Sequence, residues 1–179
     1  MIIGVDPGLT GAIAFLQKQN DGGADYWSLQ VCDMPIYEVV RNGKKRHELA
    51  EDELIKLVQQ HRKSEFPSAT GHSDNMAFVE KVASMPGMGA PSVFSFGCQF
   101  GQLRMMLACL EIPRTFVTPQ AWKKFCGLKH GASKDESRRL ACEKFPEYSD
   151  LFARKKDDGR AEAALIAWYG AQQVKGHAA

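Results

Sequence analysis

Short apolar runs that end in a carboxylate or a glycine-rich turn mark the first third of the chain. Residues 1–5 (MIIGV) are apolar up to Asp6, where Pro7 and Gly8 break the run. Residues 11–16 (GAIAFL) then predict a second strand across a tight turn, and Tyr26 to Met34 a third, after the turn-forming residues 20–23 (NDGG). These three segments predict an antiparallel meander. Residues 41–46 (RNGKKR) are polar and are expected to form no element of their own. A helix is expected over residues 47–63, where Leu49, Leu54, Leu57 and Val58 include the i, i+3 and i+4 spacing of a buried face.

Residues 76–80 (MAFVE) repeat the opening pattern, an apolar run ending in Glu80. Residues 85–91 (MPGMGAP) are too rich in Pro and Gly for a helix or strand along their length. Ser92 is the expected N-cap of a helix running to Cys109. A strand is expected over residues 114–118, and a helix with Pro119 at its first position. Ser133 with Glu136 three residues on forms a capping box for another helix, and a last helix covers residues 158–174. The order β-β-β-α-β-α-β-α predicts one layered α/β domain over residues 1–179, with a mixed five-stranded sheet flanked by helices.

Composition narrows the function. In 179 residues, 44% are hydrophobic and 25% charged, as in an ordinary folded protein. The net charge of +2 excludes a strongly basic protein that coats DNA, though it allows a local basic face. Five cysteines without a CxxC pair support neither a zinc site nor a disulfide framework. No leader segment or membrane-length apolar run is present, so a soluble protein of a reducing, cytoplasmic or organellar compartment is expected.

The candidate chemistry lies in four carboxylates. Asp6 and Glu80 end apolar strands, and Asp158 and Glu162 open the last helix. Residues four apart on a helix are offset by only ~40°, so Asp158 and Glu162 share a face; Asp157 lies ~140° from Glu162 and is expected outside the site. Asp158 alone fits a helix cap equally well, and Asp6 before Pro7 and Gly8 fits a turn. Glu162 precedes the apolar residues 163–168 (AALIAW), where a carboxylate is costly without a charged partner or metal. With no His or Cys cluster competing, the four together suggest an oxygen-ligand site for Mg²⁺.

Residues 3–8 (IGVDPG) with Gly11, residues 79–81 (VEK) and residues 155–167 (KKDDGRAEAALIA) resemble the RuvC-type Holliday junction resolvases. Residues 118–124 (TPQAWKK) and 133–139 (SKDESRR) resemble the phage-encoded and plant-chloroplast branch of that group. The likeness runs over nearly the whole chain, and its ordered set of motifs is specific. It implies a ribonuclease H-like fold, a homodimer and metal-dependent cutting of two symmetric strands at a four-way DNA junction. Carried over, Asp6, Glu80, Asp158 and Glu162 are the ligands of two Mg²⁺ (or Mn²⁺) ions, and Lys134 stabilises charge at the scissile phosphate. Lys134 reads equally as a solvated lysine at a helix start. Two departures stand out. Many cellular members end with two aspartates three apart, and the interval from Asp6 to Glu80 is long here, with Lys44, Lys45 and Arg46 inside it.

From residue 121 onward, 12 Lys and Arg face 8 Asp and Glu, a surplus of +4. Lys123, Lys124, Lys129, Arg138, Arg139, Arg154, Lys155, Lys156 and Arg160 are candidates for phosphate contact, or else a solvated face. Met85 and Met88, in the loop after Glu80, fit an apolar wedge at the junction centre or a cap on the core. Cys98, Met105, Met106 and Cys109 sit at helical spacing, as core or as dimer contact. Rival readings are an actin- or sugar-kinase-type ATP-binding protein, a catalytically silent junction binder, and a ribonuclease H acting on RNA–DNA hybrids. The first needs a second phosphate-binding half, which the chain lacks, so no nucleotide cofactor and no membrane partner are expected.

Overall fold

The structure is a computed structural model and describes residues 1–41, 43–62, 75–83, 87, 89–129 and 131–176. Five strands form one sheet: β1 (Ile2–Asp6), β2 (Ala12–Asn20), β3 (Asp25–Asp33), β6 (Met76–Glu80) and β7 (Arg114–Val117), in the order β3-β2-β1-β6-β7. As expected from the sequence, β1, β2 and β3 form an antiparallel meander, whereas β6 and β7 run parallel to β1. The sheet is therefore mixed. β1 lies at its centre, and both faces of that strand are buried because helices cover both sides of the sheet.

Alternation along β1 explains the two cores. Ile3 and Val5 face one side with Ile13, Val79 and the buried face of helices α1 (Glu51–His61) and α2 (Ala90–Cys109). Ile2 faces the other, where α5 (Asp158–Gly176) contributes Ala161, Ala163, Ala164 and Ala167. The small residues of α5 meet Gly4 directly. A Cβ on Gly4 would stand 2.2 Å from the carbonyl oxygen of Ala163, so the helix backbone rests on the central strand. Helices α3 (Pro119–Phe125) and α4 (Lys134–Lys144) flank α5 on that side, their starts capped by Thr118 and by the Ser133–Glu136 capping box. Two 3₁₀ segments, Pro146–Phe152 and Lys155–Asp157, lead from α4 into α5.

Three sequence expectations are corrected. Residues 41–46 are not an isolated polar stretch but the tip of a hairpin, β4 (Ile36–Arg41) and β5 (Lys44–Leu49), with Arg41 opposite Lys44. Gly43, just before β5, has φ +72, a conformation that glycine adopts without strain. The KKRHEL strand lacks apolar alternation because most of the hairpin is exposed, so the periodic signal for strand is missing. Helix α1 accordingly begins at Glu51 rather than near residue 47, and Leu49 reaches the core as the end of β5. Ser92 is not the N-cap of α2. That helix starts at Ala90, with Pro91 in its first turn and the amides of Ser92 and Val93 donating to the carbonyl of Gly89.

Candidate active site

Asp6 closes β1 and Glu80 closes β6. Because these strands are parallel, with Val5 opposite Val79, both carboxylates emerge at the same edge of the sheet. The first turn of α5 crosses that edge and brings Asp158 and Glu162 to it. Gly159 makes the crossing possible: a Cβ there would lie 2.4 Å from the carbonyl oxygen of Thr10, 2.9 Å from Cα of Gly11 and 3.2 Å from Oδ2 of Asp6. Any side chain at 159 would thus separate the helix from the β1–β2 turn and widen the site.

Asp6, Lys134, Asp158 and Glu162 line a cavity of about 1100 Å³. The first half of α2 and the β4–β5 hairpin form its other walls. Glu80 sits beneath this surface, where Nε1 of the fully buried Trp122 donates to its Oε2 at 2.7 Å. Lys123 pairs with Glu162 at 2.9 Å, and the hydroxyl of the buried Ser137 donates to the same carboxylate oxygen at 3.3 Å. Lys134, at the start of α4, pairs with Asp158. Each carboxylate other than Asp6 therefore has a hydrogen-bond or ion-pair partner.

Asp6 bears the electrostatic consequence. Burial, and then the negative charges of Glu162, Glu80 and Asp158, hold its carboxyl well above the usual aspartate range; Lys134 opposes this weakly. Burial also raises Glu80, against the Trp122 hydrogen bond. Lys134 is held above the ordinary lysine value, chiefly by its hydrogen bond to Asp158.

This donor set fits a hard divalent cation in chemistry and charge: three carboxylates gather around a fourth, the buried Asp6, whose ionisation a cation would favour. The fit lies in the donors, not in a finished cage. Among the described residues no three acidic, His or Cys side chains converge as a ready metal site. Lys134, Lys123 and Trp122 instead hold Asp158, Glu162 and Glu80 respectively.

The remaining sequence candidates divide. Asp157 stands apart from the four, as the helical arithmetic predicts: it is buried and takes hydrogen bonds from the backbone amide and guanidinium of Arg154. Arg160 forms a fork with Asp33 at 2.5 and 2.6 Å. Arg138 bonds Asp135 and the carbonyls of Phe152 and Ala153, and Arg139 pairs with Glu143. Lys124, Lys129, Lys155 and Lys156 are exposed and have no ion-pair partner among the described residues. Met85 and Met88 lie outside the described residues. Trp122, Ser137 and Gly159 were not singled out for a role on the residues alone. Trp122 offered one signal, because a buried indole N–H requires an acceptor.

The arrangement of strands and helices recurs in solved structures. The chain is similar to Thermus thermophilus RuvC, with a TM-score of 0.57 and 12% identity over 97% of this chain and 96% of that one. The fold is ribonuclease H-like. T. thermophilus RuvC in complex with a Holliday junction substrate gives 0.54 at 10% identity, covering 97% of this chain and 94% of that one. Fowlpox virus resolvase, in a complex with substrate Holliday junction DNA, gives 0.53 at 15% identity, covering 97% of both chains. No protein-family model and no curated protein matches the sequence. The likeness is therefore one of backbone architecture. Among the described residues no helix is long and apolar enough to cross a membrane, and all five cysteines are free.

Proposed function

We propose that this chain is a metal-dependent endodeoxyribonuclease that resolves four-way DNA junctions. The observation that carries the reading is that Asp6 and Glu80, at the same end of the adjacent parallel strands, stand close to Asp158 and Glu162, beside a cleft of about 1100 Å³. The structural neighbours bound to junction DNA support the substrate class. Residues 118–124 and 133–139 support the phage and chloroplast branch of these resolvases.

Asp6, Glu80, Asp158 and Glu162 would hold two Mg²⁺ or Mn²⁺ ions. Bound there, the ions would generate the attacking hydroxide and stabilise the leaving oxygen of the phosphodiester. Lys134 sits at the mouth of the cleft with a mostly solvent-exposed side chain. Once released from Asp158, its ammonium can meet the negative charge that grows on the scissile phosphate. Lys123 likewise exchanges Glu162 for phosphate. Trp122, by donating to Oε2 of Glu80, would restrain that carboxylate and leave its other oxygen free of this bond.

Two symmetric cuts call for a two-fold enzyme, and a homodimer is part of this proposal. Helix α2 covers the core with Leu103, Met106 and Leu107 but leaves Met105, in its second half and away from the cleft, 65% exposed, which supports its place at or near the subunit contact. A monomer by light scattering at micromolar concentration, with junction cutting intact, would remove that element. The function itself is tested by incubating the protein with a four-way junction, a linear duplex and an RNA–DNA hybrid, each with Mg²⁺ and with EDTA. Cutting confined to the junction in Mg²⁺ is expected. Cutting of the hybrid instead would make it a ribonuclease H, and binding without cutting a silent junction binder.

A further inference from the structure

The β4–β5 hairpin has no role in the chemistry above, yet it forms a wall of the same cleft. Its base is fixed: Met34 and Leu49 are buried, and the amide of Ala50 donates to the carbonyl of Pro35 at 2.9 Å. Beyond that base the residues from Val40 to His47 are exposed wherever they are described.

The register sorts the charges of the hairpin by face. Opposed pairs alternate between sides, so Tyr37–Glu48, Val39–Arg46 and Arg41–Lys44 share one face, and Glu38–His47 and Val40–Lys45 the other. The first face lines the cavity through Arg41, Lys44, Arg46 and Glu48, and His47 of the other face joins them there. Arg41 is neutralised by Glu48 at 2.7 Å, and Lys45 on the opposite face by Glu38 at 3.0 Å. Lys44 and Arg46 have no ion-pair partner among the described residues. Two unmatched cations thus face a cleft whose floor is acidic. They are alternate residues of one strand, about 6.8 Å apart along it, which is comparable with the step between neighbouring phosphates of one nucleic-acid strand. A merely solvated hairpin would have no need to direct its unpaired charges to one side.

We propose that the hairpin is a DNA-backbone arm, in which Lys44 and Arg46 bind phosphates flanking the one that lies over Asp6. The inference rests on the reading of the cleft as a DNA site. It adds the side from which the strand is held and offers a physical use for the long interval between Asp6 and Glu80. The arm supplies charge on the side of the cleft opposite Lys134, so the strand would be held from that side above the carboxylates.

The test is junction binding in EDTA, where no cutting intervenes, across a range of salt. Lys44→Ala/Arg46→Ala is expected to bind roughly tenfold more weakly than wild type near physiological salt, with a log–log salt slope shallower by about 1.8, the loss of two phosphate contacts. Lys45→Ala, on the far face, is expected to match wild type. Hydrogen exchange of the wild-type protein supplies a measurement independent of any variant: amides of residues 36–49 are expected to gain protection on adding junction DNA. Unchanged affinity and slope in the double variant, or unchanged exchange in the hairpin, would overturn the arm while leaving the cleft's assignment standing. Wild-type protein that failed to bind junction DNA at any salt would overturn both.

Discussion

The floor of the cleft and its hairpin wall are built on opposite principles. The floor is set by contact: Gly4 lets the backbone of α5 touch β1, Gly159 lets its first turn touch the β1–β2 turn, and Asp6 is left among three other carboxylates. The wall is set by charge: the hairpin touches the core only at its base and sends Lys44 and Arg46 into solvent. A site that must place metal ligands within fractions of an ångström needs the first kind of support, since small displacements cost rate. An element that only gathers phosphates tolerates the second, because counter-ion release depends weakly on geometry. The two regions should therefore fail differently when altered, the floor in rate and the arm in affinity.

The strongest way to break the floor is to remove charge from its centre. Asp6→Asn or Glu80→Gln is expected to lower cleavage by roughly 10²–10³-fold or more, with junction binding in EDTA retained. Quantitative gel assays of cutting and binding on the same preparations would check this, and near-normal cutting would remove these residues from the metal site. Gly159→Ala attacks the same floor through packing. Its methyl meets backbone at Thr10 and Gly11, so a stability loss of about 1–3 kcal/mol and a large fall in cleavage are expected, read by denaturant titration and initial rates.

Trp122→Phe sharpens the comparison by deleting the donor while keeping an aromatic, though smaller, ring at a fully buried position, so a melting curve is needed to separate any packing loss. Glu80 then loses its 2.7 Å partner, and a rate loss of roughly tenfold is expected with the fold intact. The neighbouring pair at the start of α5 separates rate from stability. Asp158→Ala is expected to lose most activity and little melting temperature, whereas Asp157→Ala, which deletes the partner of Arg154, should do the reverse. Equal activity losses would mean that both carboxylates serve the site.

The smallest effect is one of pH. Burial and like charges raise Asp6 above its ordinary value of 3.8, so in the interval from 3.8 up to its raised value the folded state binds more protons than the unfolded state. Asp6 therefore lowers the stability of metal-free protein as pH rises through that interval. The Arg154 hydrogen bond depresses Asp157, whose contribution is present above 3.8 and lost as pH falls through its lowered value. In EDTA, Asp6→Asn is thus expected to melt roughly 2–4 °C higher than wild type at neutral pH, with the difference shrinking toward pH 4. A variant that melted lower at neutral pH would contradict the electrostatic picture of the floor.

What could be read from the sequence follows the same division. The meander and the mixed sheet were open to pattern reasoning because a packed floor imposes apolar runs, and two of those runs end at Asp6 and Glu80, where the proposed site lies. Asp158 could be told from Asp157 by helical geometry alone. The hairpin escaped because an exposed strand such as KKRHEL carries no apolar period. The start of α1 was misplaced for the same reason. The roles of Trp122, Ser137 and Gly159 depend on neighbours 42, 25 and about 150 residues away along the chain, and no local spacing encodes those meetings. The basic residues were the hardest to read, since sequence does not reveal which of them, like Arg160 and Arg138, are already engaged by protein.

The central claim is that the carboxylate floor makes paired cuts in a four-way junction. It is tested most directly by labelling each of the four strands of a synthetic junction in turn and mapping the products formed with Mg²⁺. The account predicts nicks in two opposed strands at positions related by the junction's two-fold symmetry, absent in EDTA and absent with Asp6→Asn. Nicks scattered over all four strands, cutting of linear duplex at the same rate, or undiminished products with Asp6→Asn would contradict it.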